Sequence, residues 1–207
     1  MDRRTALRTI SVGLGGVAST PVLFSLLASS TANAATWKAE SFSPELQHIV
    51  TRLVDVILPG SSTPGALDVN VPQFIDKLYT HIFSSTDQQT FSRGATVFAK
   101  KFEQVFRRQA IDGGVDEFQQ LLEGYFDLSE QEQNKIFAEQ DRSLGDIDPA
   151  NRDTYLIYKF LLSVRQNTLF GYFTSEKVGR EVLNYDPIPD RYDGCIPLAD
   201  IGNAWTA

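Results

Sequence analysis

From residue 43 onward, apolar positions recur at spacings of three and four, and each run is bounded by a capping or a breaking residue. Leu46, Ile49, Val50, Leu53, Val54, Ile57 and Leu58 mark one face of a helix that Ser43 caps and Pro44 opens; Pro59-Gly60 stops it. A loop follows, in which Pro64-Gly65 suits the centre of a type II turn. Pro72 then opens a second helix with Phe74, Ile75, Leu78, Tyr79, Ile82 and Phe83 turned inward. Thr86 is the predicted cap of a longer third helix, with Phe91, Ala95, Phe98, Phe102, Val105 and Phe106 as its stripe, and Gly113-Gly114 ends that pattern. Asp116 starts the next helix, carrying Phe118, Leu121, Leu122, Tyr125 and Phe126. Ser129 and Glu132 have the spacing of a capping box ahead of a short helix with Ile136 and Phe137. After a polar loop from Asp141 to Pro149, a last long helix is predicted from about Ala150 to Phe173. Its inward candidates include Tyr155, Leu156, Leu162, Leu169 and Phe173, and Thr174 or Ser175 caps a final short turn.

No segment alternates convincingly at period two, and there are no repeats or low-complexity tracts. The pattern implies an all-α fold: a single helical-bundle domain of about six helices with a proline-rich, irregular C-terminal arm over residues 184–207. Pro187, Pro189 and Pro197 deny that arm a continuous ladder. Tyr185, Ile188, Tyr192, Ile196, Leu198, Ile201 and Trp205 nonetheless give it apolar anchors, which disordered tails lack. An irregular segment of this length with anchors is expected to dock on a surface.

The first 34 residues have a different character. Arg3-Arg4, with Arg8, precedes a weakly apolar run from Ile10 to Leu27, and Ala32-Asn33-Ala34 forms a small-x-small cleavage site. Paired arginines in that position mark the twin-arginine kind of export signal, so residues 35–207 are the expected mature domain, exported folded through the twin-arginine translocase to the periplasm. The glycines, serines and Pro21 inside the run make it poor material for a membrane span, and no transmembrane helix is expected in the mature chain. Three of the 19 basic residues and one of the 26 acidic residues lie in the signal, leaving 16 against 25 and a mature net charge of −9. That balance argues against nucleic acid and anionic membrane surfaces as partners. Cys195 is the only cysteine, so no internal disulfide is available, and burial is its expected fate ahead of a bridge to a partner.

Motifs for catalysis are scarce. Gly13-Leu14-Gly15-Gly16-Val17-Ala18 imitates a dinucleotide fingerprint, but it lies within the signal and follows no strand. His48 and His81 are the only histidines; His48, Arg52 and Asp55 share a helical face, and a partly exposed structural histidine accounts for them better than a ligand set. Asp141, Asp146, Asp148 and Asp153 lack the spacing and glycine of a calcium loop. There is no haem attachment motif and no Gly-x-Ser-x-Gly elbow, and Cys195 has no base beside it. Carboxylate pairs abound without one being singled out. No catalytic, cofactor-binding or metal-binding residue is therefore assigned to this chain. The loop from Pro59 to Pro72 and the terminal arm remain as surface features that either wrap the chain's own helices or sit in a groove of another protein.

Several ordered runs carry a resemblance. The twin arginines, Ile57-Leu58-Pro59, Thr63-Pro64-Gly65-Ala66 and Phe74-Ile75-Asp76 are followed by Gly171-Tyr172-Phe173-Thr174-Ser175-Glu176, Tyr185-Asp186-Pro187-Ile188-Pro189-Asp190-Arg191-Tyr192-Asp193-Gly194-Cys195, and Gly202-Asn203-Ala204-Trp205. In that order they resemble the gluconate 2-dehydrogenase subunit 3 family. The resemblance implies a non-catalytic accessory subunit of an exported sugar or polyol dehydrogenase. Its large subunit, of the glucose-methanol-choline type, carries FAD, and a third, cytochrome c subunit with haem c often takes the electrons. The small subunit stabilises the large one and supplies its export signal, and the complex can associate with the membrane through its partners. Candidate partner-interface residues are Pro64 and Gly65 in the loop, Tyr172 and Phe173, and Tyr185, Pro187, Pro189, Tyr192, Asp193, Gly194, Cys195 and Trp205 in the arm. A stand-alone periplasmic helical enzyme or small-ligand-binding protein, using a pocket between helices, is the alternative reading.

Overall fold

A computed structural model describes residues 37–184, 195, 197 and 202–204. The export-signal residues Arg3, Arg4, Arg8, Ala32 and Ala34 lie outside the described residues, as do Tyr185, Pro187, Pro189, Tyr192, Asp193, Gly194 and Trp205.

Seven α-helices and no strand occur among the described residues, as the periodicity requires: α1 (Pro44–Ile57), α2 (Val71–His81), α3 (Ser85–Phe106), α4 (Val115–Phe126), α5 (Glu130–Gln140), α6 (Arg152–Phe173) and the short α7 (Glu176–Glu181). The fold is an all-α bundle. Local chemistry explains most boundaries. Ser43 accepts from the Leu46 N–H at the start of α1, Ser129 and Glu132 form the reciprocal box of α5, and Ser175 accepts from Val178 to begin α7. The cap of α3 is Ser84, not Thr86. Three hydroxyl residues stand in a row there, and Ser84 is the one whose Oγ both accepts from the Asp87 N–H and donates to the Asp87 carboxylate. Helix α4 begins one residue before Asp116, where the Glu117 carboxylate reaches back to the Gly114 N–H. Before α6, Pro149–Asn151 forms a 3₁₀ turn, so the α-helix proper starts at Arg152.

Helix α6 is the axis of the bundle. It buries residues on most of its circumference, from Tyr155 to Tyr172, and packs on α1, α2, α3 and α5. Its most extensive contact is with α3, and Gly94 sets the spacing. A Cβ there would stand 2.4 Å from the Leu156 carbonyl oxygen and 2.7 Å from Phe160 Cβ. The core is aromatic along this seam: Phe91 and Phe160 meet edge to face at 4.9 Å, and Phe98 lies between Phe160 and Phe118. Phe98, Phe102, Phe118 and Phe160 are all fully buried.

Three inward predictions fail at helix ends. Val105, in the last turn of α3, is 47 % exposed. Ile82 is 71 % exposed because it lies just past the last turn of α2, where the stripe has run beyond its neighbours. Phe173, the final residue of α6, is likewise exposed, although Gly171 and Tyr172 before it are buried. The arm makes one described return. Asn184 donates its N–H to the Ala204 carbonyl and its side-chain amide to Asn203, while Asn203 donates back to Val182. No helix among the described residues is long and apolar enough to cross a membrane.

Candidate functional site

The loop between α1 and α2 folds onto its own chain. Ala66 donates to the Leu58 carbonyl, and the Asp68 carboxylate accepts the Gly65 N–H at 2.8 Å. Gly65 packs so tightly on Gly60 that a Cβ would lie 2.4 Å from the Gly60 nitrogen. From the far end of the sequence, Tyr172 donates its hydroxyl to the Pro64 carbonyl at 2.8 Å. The sequence-predicted residues Pro64, Gly65 and Tyr172 are thus brought together, in a brace between the loop and the end of α6. Burial removes Gly65 and Tyr172 from any surface open to a partner, while Pro64 is half-buried. Phe173 is exposed, and its neighbour Phe170, also exposed, lies 5.9 Å from the Phe74 ring. Gly171 makes room for that ring: a Cβ there would meet it at 2.6 Å.

Cys195 is exposed, against the expectation of burial. Its thiol is a free one on the surface, because residue 195 follows the helical core and belongs to the arm instead of the bundle interior.

The histidines have structural partners. His48 Nε2 lies 2.9 Å from the Gly113 carbonyl and ties α1 to the turn before α4; His81 Nε2 lies 2.8 Å from the Glu40 carboxylate. Among the described residues no group of three or more His, Cys, Asp or Glu side chains is placed to hold a metal ion.

Two features escape sequence reading. The first is Asp76, fully buried on α2. Its carboxylate accepts the backbone N–H groups of Glu40, Ser41 and Phe42 at 2.6, 3.2 and 3.0 Å, pinning the segment that enters α1. An acidic residue immediately after the inward Ile75 was the one available signal. The second is an apolar groove of about 400 Å³ between α1, α4, α5 and α6. Its lining includes Val56, Leu122, Phe126, Phe137 and Leu162, with Arg165 at the edge. Near it, burial pushes the Tyr125 hydroxyl up to about 12, helped by the neighbouring Tyr158. Tyr158, also raised by burial and then by the Glu132 charge, donates to the Tyr125 carbonyl at 2.8 Å. A larger cleft of about 590 Å³ lies between the start of α1, α3 and the turn at Ala110–Asp112, with hydroxyls, charges and alanines mixed along it.

Comparison with known families supplies the context. The family model described as gluconate 2-dehydrogenase subunit 3 matches residues 44–189. The chain belongs to the gluconate 2-dehydrogenase subunit 3 family. The match starts at the first residue of α1 and takes in all seven helices, so it covers the bundle as a unit. Comparison with curated proteins and with solved structures returned no significant match to either. Subunit 3 proteins are parts of a dehydrogenase complex, which means that partner subunits exist for this bundle. The exposed aromatics at the end of α6, the apolar groove and Cys195 are the surface features on which such partners can be sought.

Proposed function

We propose that this chain is the non-catalytic small subunit of an exported, FAD-dependent sugar or polyol dehydrogenase complex, and that it stabilises the large subunit and supplies its twin-arginine export signal. The observation that carries the reading is the subunit 3 family match, which spans the entire helical domain. The arrangement of the chain supports it. Arg3-Arg4 and the Ala32-Asn33-Ala34 site stand ahead of the matched region, and the first described residue is Trp37. Shortly after it, residues 40–42 are already fixed to Asp76. A signal removed at Ala34 leaves the bundle whole, which suits a route that transports folded cargo. In this reading the flavin belongs to a large subunit of the glucose-methanol-choline type and haem c to a cytochrome subunit, and the substrate is chosen by the large chain.

The test is to follow both proteins together. A larger flavoprotein is expected to copurify with the wild-type chain. Arg3→Lys combined with Arg4→Lys is expected to leave both in the cytoplasm. A flavoprotein that reaches the periplasm without this chain overturns the escort role. Turnover of a sugar by the purified mature chain, with no partner present, overturns the non-catalytic role.

A further inference from the structure

We infer that the apolar groove between α1, α4, α5 and α6 is the docking site for an amphipathic helix of the large subunit, one that carries a carboxylate to pair with Arg165; this rests on the accessory-subunit reading above. The lining of the groove sets the chemistry of its occupant. Val56, Leu122, Phe126, Phe137 and Leu162 offer aliphatic and aromatic walls, and no acidic residue lines it. Phe137 is 49 % exposed, although it stands on a helix whose other face packs on α6. Helix α5 buries no residue of its own, so this wall is held from one side only. Grooves formed between helices take a partner helix through apolar anchors at three- and four-residue spacing.

Charge then narrows the choice. Arg165 is exposed at the groove edge and makes no ion pair with any described residue. In a chain of net charge −7, an unpaired guanidinium beside an apolar groove favours an occupant with an acidic side chain next to its anchors. Arg165 is the only charged residue among those that line the groove. The groove therefore asks for apolar contact first and a single carboxylate second.

The experiment uses the full chain and the flavoprotein that copurifies with it. Phe137→Ala combined with Arg165→Glu is expected to weaken the complex about tenfold or more, since one central aromatic and one charge pair are lost. Ile82→Ala, at another exposed apolar position, is expected to leave affinity unchanged. Arg165 is exposed and Phe137 half-exposed, so the unfolding midpoint of the free chain should fall only slightly, and affinities are compared at a temperature where both chains are folded. A photo-crosslinking phenylalanine analogue in place of Phe137 is expected to capture a large-subunit helix containing Asp or Glu. Capture of a second copy of this chain, of its own arm, or of a segment without an acidic residue overturns the inference. Unchanged affinity of the double variant does so too, and leaves the accessory-subunit reading standing. Failure of the wild-type chain to bind any flavoprotein overturns both.

Discussion

A carboxylate withdrawn from water needs donors in place of its hydration shell, and Asp76 takes them from three consecutive backbone amides. Thr80 adds to the same corner, bonding the Asp76 carbonyl and the Ser41 hydroxyl. Asp76→Ala leaves the buried Phe42 amide, and the partly buried amides of Glu40 and Ser41, without that acceptor. It is expected to lower the unfolding free energy by about 3 kcal/mol and to open residues 37–42 to proteolysis, as read by denaturant titration and mass mapping. A loss below about 1 kcal/mol would mean that water can replace the carboxylate. The paired tyrosines give a second test. A phenol whose folded pKa is raised favours folding while it stays neutral, so its contribution is full below the unfolded value near 10 and disappears as pH climbs through the folded one. With Tyr125 raised to about 12, alkaline loss of stability should fall between about 10 and 12. Tyr125→Phe should remove the late step from the tyrosinate absorbance titration; if the late step survives, it belongs to Tyr155 or Tyr158, both also raised by burial. Caps such as Ser43 and Ser129 could be read from sequence because their partners lie three residues away. Asp76 could not, because its partners lie 34 to 36 residues upstream and are backbone, which carries no residue identity.

Among elements, the α3–α6 seam shows how one residue can decide a helix pairing. Gly94 lies in the interior of α3, where glycine costs roughly 1 kcal/mol relative to alanine. The close approach of Leu156 and Phe160 explains its presence. Gly94→Ala is therefore expected to destabilise by about 2 kcal/mol, because forced separation of the two helices outweighs the gain in propensity. Gly124, in α4, has nothing within 4 Å of its would-be Cβ. Gly124→Ala should stabilise by about 0.5 to 1 kcal/mol. Denaturant midpoints of the two variants should move in opposite directions, and movement in the same direction would contradict the close-approach account. Periodicity located six of the helices and the capped short seventh because each has either a stripe or a cap. It misplaced Ile82, Val105 and Phe173 because a stripe does not say where the neighbouring helix ends. The groove was hidden for a related reason: its walls come from four helices, and no single stripe reveals a shared gap.

At the scale of the molecule, the bundle has its aromatic core satisfied internally and leaves surface features without partners among the described residues. Family membership explains why partners should exist, and the exposed thiol offers a direct way to find one of them. Cys195 sits outside the packed helices, so in the free folded chain it should react with a thiol reagent at nearly the rate of an unfolded control. Protection that appears only in the assembled complex would place the arm at the interface. Non-reducing electrophoresis separates the two forms that protection can take. A band at the summed mass of this chain and the large subunit indicates a bridge, whereas two separate bands with a blocked thiol indicate burial by contact. A thiol equally reactive in the free chain and in the complex would remove Cys195 from the interface, and would direct the search to the aromatics at the end of α6 and to the groove beside Arg165.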